Sequence, residues 1–161
     1  MYSLKATDTI EFIHPLDPAI VWPDDEKEAE ALGDKYAADF DAGLLKFEGT
    51  PMKWTLRPLT ESQLSWTVAQ SLDRESREIN DSWFFHLALA GVVGIVDAPP
   101  DMPPPGFHTE GKRIRYLDPE WLEAINAPID YVNTLGHAVL KISGRDKAAE
   151  KNLFSLSVKR R

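Results

Sequence analysis

The sequence predicts an α+β fold: a small, mostly helical domain with a few N-terminal and central strands. Three observations carry this expectation. Short alternating runs at residues 9–14 and 53–57 read as half-buried strands, with Ile10 and Phe12 on one side of the first and Trp54 and Leu56 on one side of the second. Two helix starts, at Thr60 and Asp118, carry nearly complete local signals. One long segment, residues 79–96, is apolar all round and must be buried centrally or shared with a partner. A chain of 161 residues fits a single domain, 1–161.

Taken in order, the strand at 9–14 is closed by His14-Pro15 and Asp17-Pro18, because proline biases the residue before it towards extended geometry. Residues 24–42 form an acidic surface segment. Between Asp24 and Asp41 lie eight acids and two lysines, a net charge of −6, whereas the rest of the chain carries only −2. This stretch is expected to be a solvated helix or to stay mobile. Its acids do not follow the spacing of a calcium loop. A short strand is expected at 44–47, and the strand at 53–57 ends at Arg57-Pro58.

Thr60 with Gln63 completes a capping box, and Leu59 with Leu64 occupies the hydrophobic-staple positions. Leu64, Val68 and Leu72 then recur every four residues as a buried stripe, and the charged string 73–78 closes or bends that helix. In the core helix expected over 79–96, Ile79, Trp83, Leu87 and Ala90 mark one face, while Phe84, Phe85, Ala88, Leu89 and Val92 cover most of the rest. Gly91 and Gly94 weaken its second half, so its last part could be strand, and they also permit close backbone approach.

Residues 98–111 read as a proline-rich loop. Five of the twelve prolines fall in 98–106, a density no helix or central strand survives. Residues 112–116 alternate Ile114 and Tyr116 against Arg113 and Arg115, as a strand does. Asp118-Pro119-Glu120 opens a helix, with Leu117 and Leu122 as its staple. Pro128 opens another. Ile129, Val132, Leu135, Val139 and Ile142 line one face of it; Asp130, Asn133, His137 and Lys141 line the other, and Gly144 stops it. Asp146 is expected to cap a last helix over 147–156.

The composition excludes several function classes. With no cysteine, a disulfide framework, a thiolate zinc site and a cysteine nucleophile are impossible. A net charge of −8 argues against a general nucleic-acid binder. Lys112, Arg113 and Arg115, with Tyr116, would have to carry such binding, and three charges in a strand read instead as a solvated edge. Lys159-Arg160-Arg161 reads as a solvated basic tail. The start lacks a basic region followed by an apolar core, and the run 82–96 would span only about 22 Å as a helix, so no membrane partner is expected. The chain is expected to be soluble and cytoplasmic, or part of a soluble assembly.

No catalytic constellation emerges either. His14, His86, His108 and His137 show no zinc-helix spacing, His86 reading as a core or interface residue, His137 as solvated, and the other two as flanking turns. Neither a G-x-S-x-G elbow nor a phosphate-cradling glycine pattern occurs. No catalytic residue, cofactor or metal ligand is therefore expected. Five tryptophans are many for this length, and interfaces favour tryptophan and arginine. The candidates for contact with another protein are Trp54, Arg57, Trp66, Trp83, Phe84 and Phe85. Trp66 points off the Leu64–Val68 stripe, so it either buries a second face or anchors another chain.

Several pieces, read in order, resemble the tail assembly chaperones of long-tailed bacteriophages. An opening strand is followed by the turn HPLDPAIVW (14–22), then the strand-to-helix junction WTLRPLTESQL (54–64), then FFHLALAGVVGIVD (84–97). A helix over 129–143 carrying Leu135-Gly136 and Ser143 follows, and then Lys151-Asn152 with Ser155. The chain departs from the pattern in its acidic stretch, its proline loop and the residues separating Asn152 from Ser155. The resemblance implies assembly rather than catalysis: coating the tape measure protein, recruiting tail tube subunits in the host cytoplasm, and leaving before the particle is finished. It implies other tail proteins as partners, with self-association possible, and makes Trp54, Arg57, Leu59, Trp66 and the apolar helix the fold-defining parts. A structural component kept in the virion, such as an adaptor, neck or baseplate protein, is the closest alternative. A small cytoplasmic enzyme or regulator is the other.

Overall fold

The computed structural model describes residues 8–111 and 114–144. Its elements run β1 (Ile10–Phe12), β2 (Ile20–Val21), α1 (Glu26–Asp39), a 3-10 turn (Ala42–Leu44), β3 (Lys46–Phe47), β4 (Lys53–Leu56) and α2 (Glu61–Ser71). They continue α3 (Trp83–Gly91), β5 (Val92–Val96), β6 (Phe107–Glu110), β7 (Ile114–Leu117), α4 (Pro119–Ala124) and α5 (Ile129–Ile142). This is the expected small α+β arrangement, with helices packed around short antiparallel strands.

The sheet that organises the core has strand order β1-β4-β5, with Phe12 opposite Trp54 and Trp54 opposite Ile95. Alternation along β4 puts Trp54 and Leu56 on the interior face, and both are fully buried. Arg57, just beyond β4, ties three elements together. Its backbone N–H donates to the Gly91 carbonyl, its Nε to Ala90 O at 3.1 Å, and its Nη2 to Arg115 O at 3.0 Å. Antiparallel β2 and β3 form a separate ribbon, and β6 and β7 a hairpin.

The local signals act as read. Thr60 Oγ1 accepts from Gln63 N–H while the Gln63 side chain accepts from Thr60 N–H, and Leu59 and Leu64 are both buried. Asp118 Oδ1 accepts from Glu120 N–H, with Pro119 in the first turn of α4. The acidic segment 24–42 is mostly α1, with its carboxylates in solvent and Tyr36 alone fully buried on it. Tyr36 pins the end of β1, donating to Ile13 O and accepting from Ile13 N–H. Lys141 of α5 donates to the Ala37 and Ala38 carbonyls, supplying α1 with the cation its own last turn lacks.

Four expectations need correction. The helix over 79–96 starts only at Trp83 and gives way to β5 after Gly91, because the β-branched run after Gly91 pairs with β4. The strand at 44–47 is shortened to Lys46–Phe47, since Asp41 Oδ1 accepts from Gly43 N–H and winds the chain into a turn first. The loop at 98–111 ends in β6, which pairs with β7. Ile129 is 56% exposed, because it is the first residue of α5 and lies ahead of the part that packs against α3. The helix over 147–156 lies outside the described residues. Among those residues, no helix is long and apolar enough to cross a membrane.

Candidate functional site

The six residues singled out from the sequence do not converge on one site. Trp54 and Trp83 are sealed in the core, Trp83 donating from Nε1 to Thr67 Oγ1 at 3.1 Å. Neither offers a surface to another chain, because Trp54 is 0% and Trp83 2% exposed. Arg57 is spent on the three carbonyls just described. Phe84 and Phe85 are half-buried, and the Phe84 ring lies flat on exposed His137 with centroids 3.7 Å apart.

Trp66 buries a second face. Its Nε1 donates to Glu110 Oε2 at 2.6 Å, and its ring rests on Tyr116 at 5.0 Å and edge-on to His86 at 6.1 Å. It therefore clamps the β6–β7 hairpin to α2. Trp66→Ala is expected to cost about 2 kcal/mol, less than a fully buried tryptophan would. Urea denaturation should show the loss, and amide exchange should show faster opening of the hairpin. Unchanged stability with lost self-association would instead make Trp66 an anchor for another chain.

A cleft that the sequence did not reveal lies among the described residues. It encloses about 550 Å³. One wall is residues 16–19, a second is 97–100 with Met102, a third is 125–128, and Met52, Trp54 and Tyr131 lie between them. Proline stiffens every wall, through Pro18, Pro99, Pro100 and Pro128. Two sharp turns shape it, with Asp97 at φ 57° and Asn126 at φ 56°, a left-handed conformation that Asp and Asn tolerate best among side-chain-bearing residues. Trp121 Nε1 donates to Pro103 O at 2.8 Å and holds the proline loop down.

The titratable groups around the cleft are committed to structure. His14 stacks on Tyr131 with ring centroids 3.5 Å apart and planes 2° from parallel. Its Nδ1 accepts from Leu16 N–H at 3.0 Å, which leaves the proton on Nε2 to donate to Tyr131 O at 2.9 Å. Tyr131 Oη accepts from Trp54 Nε1 at 3.0 Å. Burial pushes the Tyr131 phenol up to about 12, so it stays protonated at neutral pH. Asp17 accepts from Ala19 N–H at 2.8 Å and from Met52 N–H at 3.0 Å, and Asp97 pairs with Lys53 at 3.4 Å. What remains to face an occupant is mainly hydrocarbon and ring surface. Among the described residues, no three His, Asp or Glu side chains are grouped as metal ligands would be.

Burial pulls His14 down to about 4 from its ordinary 6.5. Because the folded value lies below the unfolded one, the unfolded chain binds the extra proton first. The associated stability is present above pH 6.5 and is lost as pH falls towards 4. Between pH 7 and pH 5 this loss is expected to be roughly 2 kcal/mol. His86, lowered by burial in the same direction, adds to the slope. Urea titrations at both pH values should show the wild-type slope reduced by that amount in His14→Gln.

The signals that could have located the cleft were the His14-Pro15 and Asp17-Pro18 pairs and the proline loop. Nothing local shows that they face one another. Comparison with protein-family models, with curated proteins and with solved structures finds no match.

Proposed function

We propose that this protein is a non-catalytic assembly factor of bacteriophage tails, which holds tape measure and tail tube polypeptides in the host cytoplasm during construction and is then released. The observation that supports a protein-holding role is the apolar cleft, whose neighbouring His14 and Asp17 are already saturated by backbone partners. A proton-transfer or metal-binding role would need those groups free. The resemblance of the ordered segments at 14–22, 54–64 and 84–97 supplies the identity of the partners.

The reading is tested by co-expressing the chain with the tape measure and tail tube proteins of its phage. Both are expected to stay soluble in complex with it, and mass spectrometry of purified particles should find it missing. Its presence in finished particles would make it a structural virion component instead. Failure to retain either protein would overturn the assembly role and favour a small enzyme or regulator.

A further inference from the structure

Resting on that reading, we infer that the cleft seats an apolar polypeptide segment flanked by lysine or arginine. Two of the five large exposed hydrophobic residues among those described belong to the walls' own turns: Leu16 at 70% exposure lines the cleft, and Ile129 at 56% directly follows lining residue Pro128. Apolar surface that spreads beyond the cavity onto its rim is covered by a polypeptide and left bare by a small molecule confined to the cavity. Proline-stiffened walls mean that little ordering is needed on binding, and the Met52 and Met102 thioethers adapt to different anchors.

Charge selects the flanks. The lining residues and their chain neighbours carry Asp17, Asp97, Asp101 and Asp130 against Lys53. The Lys53 ion pair offsets Asp97, the backbone amides leave the Asp17 charge in place, and the exposed Asp101 and Asp130 directly neighbour lining residues. The surroundings are therefore net negative, so cationic flanks are drawn in while anionic ones are repelled.

The test uses the full chain and two fluorescein-labelled twelve-residue peptides with the same leucine–phenylalanine centre, one flanked by lysines and one by glutamates. Anisotropy is expected to show the lysine form binding at least tenfold more tightly. Leu16→Asp with Ile129→Asp should weaken it at least tenfold without moving the melting temperature, since both side chains are mainly in solvent. Asp101→Lys with Asp130→Lys should reverse the preference, whereas Glu28→Lys with Glu30→Lys on α1 should change binding less than twofold. Equal binding of both peptides, no binding, or a loss that follows the α1 charges would overturn the inference. So would self-association that Leu16→Asp with Ile129→Asp abolishes, because a second copy would then be the occupant.

The two proposals fail separately. If Leu16→Asp with Ile129→Asp still retains the tape measure protein fully, the assembly role stands and the cleft assignment falls. If the lysine-flanked peptide binds as described but no tail protein does, the cleft assignment stands and the assembly role falls.

Discussion

Gly136→Ala is expected to lower the melting temperature by roughly 10 °C, the equivalent of about 3 kcal/mol in a chain of this size. Gly136 sits in α5 where that helix meets α3. A Cβ there would lie 1.9 Å from the Phe84 carbonyl oxygen and 2.7 Å from its carbon. These are backbone atoms of a neighbouring helix, so no side-chain rotation relieves the overlap and the two helices must separate. Separation opens a gap among Leu87, Leu135 and Val139, all of them fully buried. Gly94→Ala is the matched control. A Cβ at Gly94 meets nothing within 4 Å, and alanine in a strand loses less backbone entropy, so that variant should be neutral or up to about 1 kcal/mol more stable. Thermal unfolding of the pair separates a packing effect from a general dislike of substitution at glycine.

Trp54→Ala should cost about 4 kcal/mol, a large share of the 5–15 kcal/mol that holds a domain together. Trp54 lies in the central strand of the three-stranded sheet, paired with Phe12 on one side and Ile95 on the other. Its ring lies 6.0 Å from both Trp121 and Tyr131. Removing it leaves a cavity under the cleft and takes the indole donor away from Tyr131 Oη. Trp54→Phe should recover roughly half of the loss by refilling most of the volume without restoring that hydrogen bond. Urea unfolding gives both values. If Trp54→Ala kept its stability and lost only partner binding, the residue would belong to an interface and its place in the core would be wrong.

Much of the fold was legible because its signals are short-ranged. The Thr60–Gln63 capping box, the Asp118-Pro119 helix start and the alternation of Trp54 and Leu56 each involve residues within one turn or one strand, and each forms as written. The segment 79–96 was harder. An apolar run with glycines is compatible with helix or strand, and only the hydrogen bonds offered by β4 decide that β5 begins at Val92. The tryptophans show the same limit. Local spacing shows that Trp66 leaves the stripe of α2, but only the hairpin's arrival with Glu110 and Tyr116 makes it a clamp.

The sequence by itself determined the α+β class, the acidic surface of α1, the caps and most of the helix and strand starts, because those depend on neighbours along the chain and on the burial demands of apolar stripes. Tertiary structure alone decided that Trp54 and Trp83 are core, that His14 is held neutral against a partner 117 residues away, and that proline-rich turns distant in sequence meet around a cleft. Contacts of that range depend on how sheet and helices pack together, and no local pattern of side chains encodes where the packing will bring them.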